Sequence, residues 1–155
     1  MKHMIFTNNP ILVEYLKGQP DEAFDVNDFE IKWVGAPAMD VLTAVRAAIH
    51  QGAALVSSPL AGVRMNPPRR TDSRTGHRIL PPSKPVAFNP YLSVAVSAQQ
   101  ESVDFQSVKR IDEALSVYRK NARLRFIAHN DDAVNQFQMA DMNMLLSFLS
   151  SLALK

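Results

Sequence analysis

An asparagine pair before a proline, a serine pair before another proline, and an arginine a few residues beyond are the groups best placed for chemistry in this 155-residue chain. Asn8-Asn9-Pro10 closes a short apolar run. Such a turn presents backbone amides and a helix N-terminus to an anion. Ser57-Ser58-Pro59-Leu60-Ala61-Gly62 closes another apolar run, and Gly62 permits close backbone approach to a ligand. Arg64 follows closely enough to grip a carboxylate or phosphate with both guanidinium edges. Asp40, in the first turn of a predicted helix, is placed to orient the same ligand. Asn8, Asn9, Asp40, Ser57, Ser58, Gly62 and Arg64 are therefore the candidate ligand-binding set, and a small anion is the ligand they fit.

Each of these residues also has a plainer role. Asparagine tolerates unusual turn angles and caps helices. The serine pair suits an ordinary strand-end loop. An acid in a helix's first turn is favoured by the helix dipole alone. His50 resembles a general base, but a histidine in a last helical turn complements the dipole, and its helix carries it toward the opposite end of the sheet.

Other chemistry is excluded or unsupported. The chain has no cysteine, which removes disulfides, thiolate metal sites, iron–sulfur clusters and thiol nucleophiles. His3, His50, His77 and His129 share no ligand spacing, so no metal is expected. The serine loop lacks the glycines and lysine of a phosphate loop, and no nucleophile-elbow pattern occurs. No cofactor is implied. Catalysis is left open, with a non-catalytic role preferred.

The elements that must position these residues follow from pattern. His3–Thr7 reads as a strand, and Pro10 through Leu16 as a helix ended by Gly18. Residues 29–34 alternate as a second strand. Met39, Leu42, Val45 and Ile49 mark a helix opened by Gly35-Ala36-Pro37 and ended near Gly52. Ala53–Ser57 reads as a buried strand, and Tyr91–Val96 as another. Asp104 caps a helix with Val108, Ile111, Leu115 and Tyr118 inward. Leu124–Ala128 fits a strand and a continued helix equally. A last helix, from about Asp132 to Leu152, has Phe137, Met144, Phe148 and Leu152 inward. This order predicts an α/β fold: a small open, mainly parallel sheet with helices on both faces. In such a sheet Asn8, Gly35, Ser57 and Ser58 share the rim where ligands bind.

The chain is 46% hydrophobic and 21% charged, an ordinary globular balance expected to form one domain over residues 1–155. Its charge is uneven. Residues 1–60 carry net −3, residues 61–90 net +5, and residues 91–155 none. Seven of the ten prolines also lie in residues 59–90. The segment at about 64–90 is therefore expected to be a basic, Pro-rich loop insertion, detachable over residues 66–88. Its charge suits phosphates, but it lacks interleaved aromatics to stack bases, so nucleic acid is disfavoured. No apolar stretch reaches a signal core or membrane span, and a cytoplasmic protein without membrane association is expected.

Several stretches together resemble the GrdX family. They are Thr7-Asn8-Asn9-Pro10; Asp40-Val41-Leu42 through Val45-Arg46, Ile49-His50 and Gly52; Leu55 through Pro59-Leu60 and Gly62; and Asn89-Pro90-Tyr91. The spacing of Val103-Asp104 to Ile111, and Phe137-Gln138 with Asp141, agree. The chain departs from the family pattern at Ser58, where a histidine usually precedes Pro-Leu, at Gln136, where an aspartate precedes Phe-Gln, and in the insertion between about Asn66 and Asn89. The resemblance implies genes beside selenocysteine-dependent glycine, sarcosine or betaine reductase components, and hence those components as partners. It implies no reaction. Three roles follow: an accessory or small-anion-binding module for such reductases; a small enzyme acting on an anionic metabolite through Asp40, Ser57 and Arg64; or a nucleic-acid-binding protein using the insertion. Oligomeric state is left open.

Overall fold

The structure is a computed structural model, and it describes residues 3–18, 29–60, 64–65, 70–71, 78–79, 87–120 and 131–153. Its elements are β1 (His3–Thr7), α1 (Pro10–Gly18), β2 (Phe29–Trp33), α2 (Ala38–His50), β3 (Arg64–Met65), β4 (Arg70–Thr71), β5 (Arg78–Ile79), β6 (Ala87–Phe88), β7 (Ser93–Val96), α3 (Phe105–Lys120) and α4 (Asp131–Ala153). Leu124–Ala128, left open above, lies outside the described residues.

The fold is α/β, built on a three-stranded sheet in the order β2-β1-β7. β1 runs parallel to β2, with Ile5 opposite Ile31, and antiparallel to β7, with Thr7 opposite Ser93. The sheet is thus mixed, where a mainly parallel one was expected. The reason lies in the connections. β1 and β2 are joined through α1, as a parallel pair requires, whereas the described residues between Leu60 and Asn89 form two short antiparallel pairs.

Ala53–Ser57, expected as a regular strand, makes one isolated antiparallel bridge, Leu55 to Val96. Side chains interrupt its ladder. The Ala54 amide donates to Ser97 Oγ at 2.9 Å and the Leu55 amide to Ser107 Oγ at 2.8 Å. The Val56 and Ser57 amides then share one acceptor, the Ala95 carbonyl.

The basic insertion, expected as an unpatterned loop, contains nested antiparallel pairs. Arg64 faces Phe88 and Met65 faces Ala87, while inside that pair Arg70 faces Ile79 and Thr71 faces Arg78. The chain therefore leaves and returns at one place.

Packing divides into two clusters. One joins Phe6, Val94 and Val96 to α2 (Val41, Leu42, Val45, Ile49) and α3 (Ile111, Ala114, Leu115, Tyr118). The other joins Ile5 and Ala95 to α1 (Leu12, Leu16) and α4 (Met142, Leu145, Leu149). Neighbouring strand residues go to different clusters because strand side chains alternate. The inward stripe of α4 is Phe137, Asp141, Leu145 and Leu149 rather than the expected Phe137, Met144 and Phe148. Met144 is exposed and Phe148 half-buried. The side chain of Leu152 lies outside the described residues. Apolar residues lie all around α4, so hydrophobic spacing leaves its rotation undecided and a buried carboxylate decides it.

Candidate functional site

The end of β1 is the most polar part of the interior. Thr7, Asn9, Ser57, Asn89, Ser93 and Asp141 are all buried. The sequence produces this locally. β1 delivers Thr7 to the sheet's end, and Pro10 starts α1 with a ring that needs no amide partner. Asn9 caps that helix, its Oδ1 accepting from the Ile11 amide at 3.3 Å. Its own amide donates to Thr7 Oγ1 at 3.0 Å.

Asp141 stands at the centre. Its Oδ1 accepts from the Ser93 amide at 2.9 Å, and its Oδ2 accepts from Ser93 Oγ at 2.6 Å and from Asn9 Nδ2 at 3.0 Å. Since Ser93 gives its proton to Asp141, the Thr7 hydroxyl is the donor in the 2.7 Å contact between Thr7 and Ser93. A relay runs from the Asn9 amide through Thr7 and Ser93 to the carboxylate. Burial pushes the Asp141 carboxyl above the usual carboxylate range, and bonds from Ser93 and Asn9 pull it partly back.

Two more asparagines bind the same rim. Asn8 Nδ2 donates to the Ala36 and Pro90 carbonyls, both at 3.0 Å, and its Oδ1 accepts from the Leu92 amide at 2.8 Å. Asn89 Nδ2 donates to the Phe137 carbonyl at 2.9 Å, beside the 2.8 Å bond from Asn9 Nδ2 to Gln138. Thr7-Asn8-Asn9, Asn89-Pro90 and Phe137-Gln138 with Asp141, far apart in sequence, thus meet in one network.

The expected site residues fall unevenly around it. Asn8 and Asn9 are in the network. Ser57 adjoins it: its Oγ accepts from the Ala95 amide at 2.9 Å. Ser58 Oγ accepts from the Leu60 amide at 3.3 Å. Ser57, Ser58, Ser93 and Asp141 line a small crevice together with Met144, Leu145 and Phe148. Gly35 follows β2 at the same end of the sheet, where the Val34 amide donates to the Thr7 carbonyl at 2.8 Å. Asp40 is exposed on the first turn of α2 and is not brought into the network. Gly62 and the side chain of Arg64 lie outside the described residues. His50 is exposed at the end of α2, where the following Gly52 carbonyl accepts from Gln100, beyond the far end of β7.

Asp141, Ser93, Thr7 and Asn89 were missed as functional candidates. One signal was available for Asp141. It is a lone acid four residues after Phe137 and four before Leu145, a spacing that puts all three on one helical face. Among the described residues, no three of His, Asp and Glu gather as a metal site. No helix among them is long and apolar enough to cross a membrane.

These features define a small α/β protein with a polar network at one end of its sheet. The family described as GrdX-like protein matches residues 4–71 and 76–150, and the chain belongs to that family. Neither the curated proteins nor the solved structures give a match.

Proposed function

We propose that this chain is a non-catalytic accessory protein working with glycine, sarcosine or betaine reductase components. The observation behind this is the commitment of the rim to the fold itself: the Asp141 carboxylate bonds to Ser93 and Asn9, and Asn8 bonds to Ala36, Pro90 and Leu92. A general base or nucleophile works by aiming a lone pair at substrate. Here the lone pairs join β1, β7 and α4. Such fixed elements suit a preorganised surface for a partner protein. Membership of the GrdX-like family supports the reductase association.

A small-anion site is weaker on the same geometry. The amides of Asn8, Asn9 and Ser57 already donate to the Leu92 carbonyl, Thr7 Oγ1 and the Ala95 carbonyl. Asp141 adds negative charge beside them. An anion would depend on the turn after Ser58 and on Arg64.

Sedimentation of the full chain with each purified reductase component tests the accessory role. The expected result is a complex with one component and no turnover of glycine, sarcosine or betaine by the chain alone. Absence of a complex with every component would overturn it. Calorimetry with inorganic phosphate and acetate tests the anion site separately, since heat abolished by Arg64→Ala would restore it.

A further inference from the structure

α4 differs from the other helices on the side that faces water. Lys17 on α1, Arg46 on α2, and Lys109 and Glu113 on α3 are exposed charges of the kind that surface helices carry. After Asp132, α4 exposes none, because its one later charge, Asp141, is buried against Ser93 and Asn9. Gln136, Met139, Asn143, Met144, Ser147 and Ser151 face water instead. Met139 and Met144 are 41% and 39% exposed, which places two of the large exposed apolar side chains on this one helix. Depletion of charge together with exposed methionine marks the centre of a protein–protein contact.

Spacing, size and charge say what covers it. Gln136, Ala140, Asn143, Ser147 and Ser150 recur at steps of four and three residues and so form a seam along the helix. The seam lies opposite the buried stripe of Asp141, Leu145 and Leu149. Its bulky side chains, Gln136 and the flanking Met139, are in the first half, and the small Ser147 and Ser150 are in the second. Turned end for end, the seam complements itself, with bulk meeting space in both halves. Charge selects the same occupant. Two copies of an uncharged face meet without opposing like charges, whereas a charged partner would lose hydration and find no counter-charge here.

We propose that α4 is a dimerisation helix, packing antiparallel against α4 of a second copy of this chain about a two-fold axis at Asn143. Met139 of each copy enters the gap between Ser147 and Ser150 of the other. The two Asn143 side chains meet at the axis. Each carries a donor and an acceptor, so they bond to each other, and a central asparagine of this kind fixes the register. From Gln136 to Ser150 the seam runs about 21 Å, at about 1.5 Å per residue. Its small side chains let the axes approach to about 8 Å. Such a contact is closed, since both copies use the same patch. The bonds from Ser93 and Asn9 to Asp141 fix the rotation of α4, and with it the side that the seam presents.

The experiment is sedimentation of the full chain over a wide concentration range, with Asn143→Lys, Asn143→Asp and Met139→Ala. The wild type is expected to dimerise. Each charged variant should weaken dimerisation about tenfold or more, because it brings like charges together at the axis. An equimolar mixture of Asn143→Lys and Asn143→Asp should form a heterodimer, which a damaged fold could not do. Met139→Ala, which empties the gap beside Ser147, should weaken the dimer without a charge. A monomeric wild type would overturn the proposal. So would a dimer indifferent to both charged variants, or charged variants that fail to pair with each other. A monomer whose complex with a reductase component is lost in Asn143→Lys would also overturn it and give the face to that component.

Discussion

The two packing clusters hold helices to the same sheet by different physics. Between α2 and α3 the fully buried side chains of Val41, Leu42, Val45, Ile49 and Ile111 are apolar, with the Tyr118 hydroxyl as the polar exception. Burial there is favourable in any orientation that excludes water, so many sequences would satisfy it. Beneath α4 the apolar contacts of Met142, Leu145 and Leu149 adjoin a carboxylate fixed by three donors. Hydrogen bonds are directional, and a buried donor left without its acceptor is costly. The first region supplies adhesion, and the second fixes which way α4 is turned.

Conservative substitutions should separate the two most sharply. Leu42→Met nearly conserves volume and is expected to cost less than about 1.5 kcal/mol. Asp141→Asn conserves shape but turns a donor toward Asn9 Nδ2, and should cost about 2 kcal/mol. Asp141→Ala removes the acceptor for Ser93 and Asn9 altogether. A loss of roughly 3–5 kcal/mol is expected, lowering the melting temperature by about 10 °C for a chain of this size. If thermal unfolding shows Asp141→Ala to be as mild as Leu42→Met, the network does not hold α4.

The rim should also carry a pH dependence that the apolar cluster lacks. Burial raises the native pKa of Asp141 above the ordinary 3.8. The native state then binds this proton more tightly than the unfolded chain does. The contribution is complete below the ordinary value and is lost as pH rises through the native one. In urea titrations between acid and neutral pH, the wild type should lose stability relative to Asp141→Asn as pH rises. A relative gain would mean that the bonds from Ser93 and Asn9 outweigh burial.

The same contrast explains what could be read from sequence. β1, α1, β2, α2 and α3 were legible because each has one apolar stripe or alternation, as Val41, Leu42, Val45 and Ile49 do in α2. Sheet direction was not: the strand–helix order was read as mainly parallel, yet β7 pairs antiparallel with β1. Ala53–Ser57 looked like a strand by hydrophobicity, but its ladder is interrupted by Ser97 and Ser107, which are distant in sequence. Asn8, Asn9 and Ser57 were recognised as rim residues. Their partners were not, since no local pattern links Asn9 to Asp141 or Asn89 to Phe137. The GrdX resemblance touched those same positions without giving their arrangement.

The insertion should matter less than either cluster. Met65 faces Ala87 where the outer pair closes, so the chain is already joined at the base. Replacing residues 66–86 with a short Gly/Ser turn should lower the melting temperature by only a few degrees, since ~1 kcal/mol corresponds to roughly 2–4 °C. Failure of that variant to fold would place the insertion in the core or in an obligate interface.

The smallest effect should come from an acid of the same type in the opposite setting. Asp112 on α3 accepts from Arg46 Nε on α2 at 2.9 Å, but both side chains are about half exposed, 49% and 47%. Water solvates each partner when the bond is broken, and holding two long side chains together costs conformational freedom. Asp112→Ala should therefore cost about 0.2–1 kcal/mol and lose even that in high salt. Asp141→Ala, removing the same carboxylate from a residue 5% exposed, is expected to cost several times more and to be nearly indifferent to salt. Paired melts of both variants at low and high salt make the comparison directly. Equal losses would show that burial does not set the value of these carboxylates, and that the position of α4 is determined by its apolar contacts.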